Sequence, residues 1–454
     1  MNFNNPYSRE AYKEFFQNQF LTDDFKISEE KLSFEFTPQY LKSAFVIGED
    51  KSLEIKVLEV LHDSENDPRV GLSKDIFRLM SSYGYKRALV LLHSCKSENY
   101  RLSLATIELS LEGSKVKKEY SNPRRYSFFL GPNAKVKTPY NFLVSKGRVR
   151  DYEDLRNRFS IEAVTDDFYN EFKPNFDRLS ESVVGSKDKQ LKQDFALLFI
   201  IRTIFLGFVQ KKPWLNKDEN FILNFWKEYK EKYYGKNLFY SEWLRTLFFE
   251  SLNNPPGKKI FSRSTPFSEK TLLALQMAPY LNGELFKGKI GFDDQDLIIP
   301  DKAIEQFLEF LFSYNFTIEE NTLYDKDLEL NPEFLGIIFE RLVNKEDGAV
   351  YTPRTEVDFM CRIALVKWLQ KTSDVPKKKL YHLFFDKHDE QIVEMLNENE
   401  KEEILNLLKN VTICDPAAGS GAFLVGMLQV LDETMYLLSK EKRENTFEQK
   451  KRNN

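Results

Sequence analysis

The segment CDPAAGSGAFLV, residues 414–425, carries a pattern that suggests ligand binding. A short apolar run leads into Asp415, and Gly419 and Gly421 follow before an apolar-periodic stretch. In nucleotide-binding α/β units, a strand passes through such a glycine turn into a helix. The glycines let backbone N–H groups approach a ligand, and Asp415 could accept a hydrogen bond from an ammonium group. Ordinary strand–helix connections also use glycine, and the GK[ST] ending of a phosphate-binding loop is absent, so this turn alone leaves both interpretations open.

A second segment, Tyr351-Thr352-Pro353, lies about sixty residues before the glycine turn. Thr352 is typical of a helix N-cap, Pro353 of a first helical residue, and Glu356 favours the positive end of the helix dipole. A well-capped helix accounts for each of these residues. It does not account for their pairing, in this order, with the turn at Asp415.

The paired segments GAVYTPRTEVDFM and DPAAGSGAFLV resemble the gamma-type, amino-methylating adenine DNA methyltransferases. In that family a YTP segment and a DPAxGSG loop together hold S-adenosylmethionine. The resemblance extends over most of the chain to the large fused restriction-modification enzymes of type IIG. It is carried, in the same order, by the segments RRYSFFLG, FALLFIIRTIFLGFVQKKPWL, SEWLRTLFFESLNN, APYLNGELF, YNFTIEEN and ELNPEFLGIIFERLVN.

The resemblance implies methyl transfer from S-adenosylmethionine to the adenine amino group of double-stranded DNA. By this resemblance, three residues pack against the cofactor: Tyr351, Thr352 and Pro353. Five more would form the loop at its methionine end: Asp415, Pro416, Ala417, Gly419 and Gly421.

The chain also departs from the family. There, the loop helix is followed by a strand ending in a carboxylate for the ribose, a catalytic [DN]PP[YF] motif and a target-recognition domain, and none of these follows Leu438. Asn254-Pro255-Pro256-Gly257 has glycine where an aromatic ring would stack on the flipped base, and we interpret it as a turn. We therefore expect no catalytic residue for methyl transfer in this chain, which alone neither methylates DNA nor binds S-adenosylmethionine tightly.

Two hypotheses about the whole chain stay open. In the first, it is the N-terminal part of a methyltransferase, truncated within its C-terminal domain, and a second polypeptide is one way to supply the rest. In the second, it is a DNA- or partner-binding module that carries a methyltransferase remnant. In either case the apolar face of the helix after the loop must pack against the helical domain or a second polypeptide to be buried. That face comprises Phe423, Leu424, Met427, Leu428 and Leu431.

The N-terminal region contains two carboxylates with the spacing of a nuclease site. Nucleases of the PD-(D/E)xK type need two carboxylates for Mg²⁺ and a lysine. In the family, an aspartate often lies some nine residues before Glu-Val-Lys. Here Asp50 and Glu59 match this pattern. Leu61 stands where the lysine would be, and nothing supports His62 as its substitute. Glu59 also shares a strand face with apolar residues, where a carboxylate requires a metal, proton or partner. We expect a nuclease-like fold with a degenerate site, and Mg²⁺ only if that site is active.

These residues are distributed over three predicted domains. Residues 1–150 alternate strand and helix signals and predict an α/β nuclease-like domain. Residues 151–330 show apolar spacing of three to four and predict an all-α connector domain. Residues 331–454 predict the incomplete, Rossmann-like start of an S-adenosylmethionine-dependent methyltransferase domain, with a strand at 411–414.

Composition limits the remaining possibilities. The formal charge of −4 gives no overall polyanion-binding signature, so a nucleic-acid surface would have to be local, as in the basic stretch between Lys115 and Arg150. Three widely spaced cysteines argue for a reducing cytoplasm rather than a disulfide framework. The most apolar stretch, Phe195 to Val209, contains Arg202 and is too short for a membrane span, so it predicts a buried helix and no membrane partner.

Overall fold

The computed structural model describes most of the chain and divides it into two compact units, Met1–Phe339 and Glu340–Asn454. The described residues are 1–64, 69–109, 120–212, 214–261, 267–281, 283–288, 293, 296–317, 325–330, 352, 354–385, 395–418 and 421–439. The division falls nine residues after the predicted boundary between 330 and 331. The further division of the first unit at residue 150 stays a prediction.

A mixed sheet forms the centre of the first unit. Its strands lie in chain order, antiparallel except for the parallel pairs β3–β4 and β6–β7. They are β1 (Phe25–Leu32), β2 (Leu41–Asp50), β3 (Ile55–His62), β4 (Arg87–Ser94), β5 (Ser97–Leu109), β6 (Tyr120–Leu130) and the short β7 (Asp325–Asp327). The protein is therefore a multidomain α/β chain in its coarse class.

Both faces of this sheet are covered by helices. Helix α2 (Arg69–Ser82) links the parallel strands β3 and β4 and packs through Leu72 and Ile76 on a cluster that includes Leu58 and Val60 of β3. Successive strand side chains point to opposite faces, so Glu59 faces away from α2. That second face is covered by α1 (Arg9–Phe15) and a π-helical turn, Phe16–Phe20.

The rest of the first unit is helical. The bounds are α3 (Lys137–Tyr140), α4 (Tyr152–Arg158), α5 (Ile161–Ser182), α6 (Lys189–Val209), α7 (Phe221–Tyr233), α8 (Glu269–Met277) and α9 (Asp301–Leu311), with π-helical segments at Asn141–Ser145, Phe239–Leu244 and Thr246–Leu252 and a 3₁₀ turn at Glu284–Phe286. The predicted buried helix 195–209 lies within α6, where the guanidinium of Arg202 donates to both oxygens of Asp293 at 2.8 and 2.9 Å. No helix in the described part of the chain is long and apolar enough to cross a bilayer.

Two details of the helical region go beyond the apolar spacing of the sequence. The run from 151 to 179 forms two helices, because Ser160 accepts a hydrogen bond from the Ala163 N–H at 3.1 Å and caps a new helix after α4. The run SEWLRTLFFESL lies in the π-helical segments Phe239–Leu244 and Thr246–Leu252. Asn254–Gly257 forms the predicted turn, with Gly257 at φ 81° and the Lys258 N–H donating to the Pro255 carbonyl at 3.1 Å.

The second unit has a helical core in its described residues. Its helices are α10 (Arg354–Thr372), α11 (Lys377–Phe385), α12 (Glu398–Asn410) and α13 (Ala422–Ser439). Buried apolar residues from all four form one cluster. The strand predicted at 411–414 is not formed: these residues carry no ladder hydrogen bonds in the described part of the unit, and Ile413 is 37% exposed. A strand exists only with a neighbour that accepts and donates its backbone hydrogen bonds, and the described residues supply none here.

Helices α10 and α13 approach each other closely at Gly426. A Cβ atom at this position would lie 2.5 Å from Cγ1 of Val357, well inside van der Waals contact. Valine has one strongly preferred rotamer in a helix, so its side chain cannot easily move away. The contact therefore requires glycine.

We predict that Gly426→Ala loosens the packing of α10 on α13. Alanine favours a helix by about 1 kcal/mol over glycine, but overpacking costs about 1–3 kcal/mol, so the net effect is destabilising. Hydrogen–deuterium exchange of peptides from α10 and α13 should become faster, and Val357→Ala in the same chain should restore protection. Val425→Ala, at a neighbouring side chain that is 55% exposed, is the control and should change little. Unchanged exchange in Gly426→Ala would show that the contact is not tight.

Candidate functional site

The glycine turn of the second unit contains a carboxylate oxygen without a protein partner. Oδ1 of Asp415 accepts the Ala417 N–H at 3.0 Å, which fixes the side chain in a local turn. Oδ2 is buried and has no hydrogen-bond partner among the residues that the structure describes. A buried carboxylate oxygen without a partner is costly, so this atom is available for a ligand that donates a hydrogen bond.

The backbone after Asp415 leads directly into α13. The Gly421 N–H donates to the Ala418 carbonyl at 2.6 Å, and Gly421 has φ 81°, a conformation that favours glycine. Helix α13 starts at the next residue, Ala422, so its first N–H groups follow the turn at once. Pro416 and Ala417 are exposed, and Gly419 lies outside the described residues.

The start of α10 lies near the start of α13. Val357 is in the first turn of α10 and Gly426 is in the second turn of α13, and these two residues are in contact. With a rise of about 1.5 Å per residue, both helices begin within roughly 6 Å, along their axes, of this contact. Thr352, two residues before α10, is exposed; Tyr351 and Pro353 lie outside the described residues. The two predicted cofactor segments thus lead into helices that meet at their N-terminal ends.

Asp50, the first predicted nuclease carboxylate, has a complete set of structural partners. Oδ2 accepts the N–H and the hydroxyl of Thr22 at 3.0 and 2.7 Å, and Oδ1 accepts the hydroxyl of Ser52 at 2.9 Å and the N–H of Leu53 at 3.1 Å. The side chain is fully buried and fixes the turn between β2 and β3. Glu54 belongs to this turn rather than to β3, and Lys56 pairs with Glu49 at 2.8 Å.

Glu59, the second predicted nuclease carboxylate, is paired with Arg9 and His93 on its own sheet face. It accepts a hydrogen bond from Nε of Arg9 and lies 3.1 Å from Nε2 of His93. Burial alone would raise the pKa of the Glu59 carboxyl, but the hydrogen bonds and charges of His93 and Arg9 outweigh burial and lower the pKa to about 2. Burial, with the charge of Glu59, also raises the pKa of Tyr7, whose ring stacks on His93 at 4.3 Å.

The structure does not bring Asp50 and Glu59 together. Asp50 is opposite Ile55 and Glu59 is opposite Phe45 in the β2–β3 ladder, so the two positions are four residues, or about 13 Å, apart along the strand. Within the described ranges, no three His, Cys, Asp or Glu side chains form a group that could hold a metal ion. The expected magnesium pair of Asp50 and Glu59 therefore does not fit this geometry, because both carboxylates already have other partners.

Sequence reasoning identified Glu59 as a carboxylate in need of a partner but missed Arg9 and His93. Arg9 lies fifty residues away, in a helix that starts after the Ser8 N-cap, and no local pattern connects it with β3. His93 could have been found from the parallel register of β3 and β4, since Leu61 is opposite His93.

Two members of the basic stretch between Lys115 and Arg150 have structural roles. Arg125 is fully buried in β6, and Lys137 pairs with Glu171. Lys115, Lys117 and Lys118 lie outside the described residues.

Comparison with known proteins relates part of this chain to a restriction-modification enzyme. Over 273 residues, 55% of the chain, it is 29% identical to a protein of Methanocaldococcus jannaschii named as a type II restriction enzyme and methyltransferase. The alignment covers 22% of that protein, so the chain spans less than a quarter of this relative. No protein-family model and no solved structure matches the chain.

We predict that Glu59 makes the stability of the first unit depend on pH in the acidic range. Since its pKa falls from 4.5 to about 2 on folding, its stabilisation is present above pH 4.5 and is lost as the pH falls towards 2. Calorimetric melting at pH 6.5 to 3 should show that Glu59→Gln melts lower than the unmodified chain at neutral pH and that the difference shrinks below about pH 4.5. Glu35→Gln, at an exposed position, is the control. A difference that stays constant with pH would contradict the assignment.

Proposed function

We propose that this chain is the N-terminal part of an adenine-specific DNA methyltransferase of a restriction-modification system, with S-adenosylmethionine as methyl donor. The observation that carries the proposal is the buried Oδ2 of Asp415, which has no partner among the described residues and belongs to the turn that precedes α13. The similarity to a protein named as a restriction enzyme and methyltransferase supports the same function. The substrate is double-stranded DNA. By the resemblance to type IIG enzymes, restriction and modification domains would be fused in one protein.

The described residues fit the methionine end of the cofactor. Oδ2 of Asp415 would accept a hydrogen bond from the ammonium group, and the first N–H groups of α13 would donate to the carboxylate. The remaining predicted residues of the site would shape the pocket: Tyr351, Thr352, Pro353, Pro416, Ala417, Gly419 and Gly421. The cofactor supplies an activated methyl group for transfer to the adenine amino group.

The residues that would hold the adenine belong to sequence outside this chain. No [DN]PP[YF] motif occurs in the 454 residues. The proposal assigns that motif either to a longer form of the same protein or to a second polypeptide. This chain then contributes the methionine end of the cofactor site and the first unit.

The first unit is proposed as a nuclease-like domain that does not cleave DNA through Asp50 and Glu59. The strand order and the βαβ connection through α2 favour this fold, and the hydrogen bonds around each carboxylate favour a structural role. A guanidinium and an imidazole take the place at Glu59 where a cation would bind. The unit would then serve the methyltransferase as a scaffold.

Asp415→Ala is predicted to weaken the binding of S-adenosylmethionine by the chain at least about tenfold, because a hydrogen bond to a charged group contributes about 1.5–3 kcal/mol. Because the chain alone is expected to bind the cofactor weakly, ligand-observed saturation-transfer NMR is the suitable measurement. Asp415→Asn should bind with intermediate affinity, since its amide oxygen still accepts a hydrogen bond. Glu402→Ala, at an exposed position on α12, is the control. Equal signals from all variants would contradict the proposed site.

The methylated base tests the whole proposal. Expressed in one reading frame with the coding sequence that follows it in its genome, the chain should produce N6-methyladenine in cellular DNA, and Asp415→Ala should abolish it. Mass spectrometry of DNA nucleosides measures both. A methylated cytosine, or a downstream sequence without [DN]PP[YF], would contradict the proposal and favour a binding module with a methyltransferase remnant.

A further inference from the structure

The loop between α6 and α7, residues 210–220, exposes a tryptophan among lysines. Trp214 is 42% exposed, whereas Trp226 and Trp243 of the same unit are 7% and 2% exposed. Lys212 and Lys217, on either side of Trp214 in the sequence, are exposed as well. An exposed aromatic ring beside cations is a frequent feature of surfaces that contact nucleic acids.

Buried residues at the base of this loop hold its conformation. Leu215 is fully buried, and the Asp218 N–H donates to its carbonyl at 3.1 Å. The buried side chain of Gln210 accepts the Ile222 N–H at 3.1 Å and joins the two ends of the loop. Trp214 and the lysines are therefore presented by an ordered backbone, so that ordering the loop adds little to the cost of binding.

The backbone of the loop contains two successive residues in the left-handed region. Asn216 has φ 53° and Lys217 has φ 57°. A positive φ is uncommon for residues other than glycine, and such conformations persist where the surroundings impose them, often at binding sites. Here the conformation places Lys217 at the surface while Leu215 stays in the core.

The charges of the loop leave two lysines without acidic partners. Lys211 pairs with Glu219 at 3.2 Å, and Asp218 is paired with Lys270 of α8 at 3.1 Å. Both acids of the loop are thus neutralised. Lys212 and Lys217 make no ion pair with any described residue. The exposed part of the loop is positively charged and complementary to phosphates.

We propose that Lys212, Trp214 and Lys217 contact the backbone of duplex DNA, with the two lysines on phosphates and Trp214 packed against deoxyribose. The inference rests on the proposed function, which supplies duplex DNA as the substrate. Because these groups recognise phosphate and sugar, the contact is independent of base sequence and positions the protein on the duplex.

The test measures binding of the full chain to a fluorescein-labelled 30-base-pair duplex over a series of salt concentrations. Lys212→Ala/Lys217→Ala should weaken binding at least about tenfold and reduce the slope of log affinity against log salt by about two, since each lost phosphate contact contributes about 0.9. Trp214→Ala should weaken binding severalfold through the loss of apolar contact with the sugar, and Trp214→Phe less. The matched control is Lys227→Ala/Lys232→Ala, which removes two exposed lysines of α7 and should change the affinity by no more than about twofold.

Tryptophan fluorescence gives a second readout that does not depend on affinity. The chain has four tryptophans, and Trp214 is the exposed one in the first unit. Duplex binding should shift its emission to shorter wavelength, because the sugar displaces water from the indole ring, and Trp214→Phe should lose that shift. Circular dichroism of each variant verifies folding.

The outcomes separate this proposal from the proposed function. If the chain binds the duplex but loop and control variants bind equally, the loop contact is overturned and the proposed function stands. If the unmodified chain binds no duplex, the loop contact is overturned, and the proposed function is decided separately by the methylated base. If the loop variants lose binding to vesicles of anionic phospholipid and keep binding to DNA, the surface is a membrane contact and the proposal is overturned.

Discussion

The contact of α10 with α13 at Gly426 is the constraint on which the candidate cofactor site depends. Without a side chain at this position, Val357 packs directly on the backbone of α13. The two helices then meet near their first turns, and the described residues that precede them, Thr352 on one side and Gly421 on the other, lie at the same end of the pair. A larger residue at 426 would move one helix start away from the other. The position of Asp415 thus depends on the contact between Val357 and Gly426, although neither of these residues is expected to contact the cofactor.

Three buried carboxylates of the first unit have protein partners that Oδ2 of Asp415 lacks among the described residues. In the first unit, Asp50 accepts hydrogen bonds from Thr22, Ser52 and Leu53, Glu59 is paired with Arg9 and His93, and Asp301 accepts the hydroxyl of Tyr229 at 2.8 Å. These groups are satisfied by the protein and hold elements together. Asp415 keeps one oxygen without a partner. A buried oxygen of this kind has a cost unless a ligand uses it, and this is the reason that the proposed cofactor site is assigned to Asp415.

Sequence alone predicted the elements with strong local signals and missed the contacts that join distant residues. The apolar run 195–209 located the helix that is now part of α6, and Glu59 was placed on a strand that is now β3, because these signals lie within one element. The break at Ser160 and the π-helical geometry of Phe239–Leu252 depend on capping and packing that the period does not encode. Asp415 was identified from its motif. The pairing of Glu59 with Arg9 was not, since fifty residues separate them and only the fold brings them together.

The strand predicted at 411–414 shows a further limit of local sequence signals. Helix α13 forms because its hydrogen bonds are internal and because its apolar residues pack on α10, α11 and α12. A parallel strand has no internal hydrogen bonds and requires a neighbour, so the same motif specifies the helix and the turn but not the strand. Leu424 and Val425 remain 41% and 55% exposed at the start of α13. The turn that positions Asp415 is therefore ordered from its helical side, and a neighbouring strand would have to order it from the other.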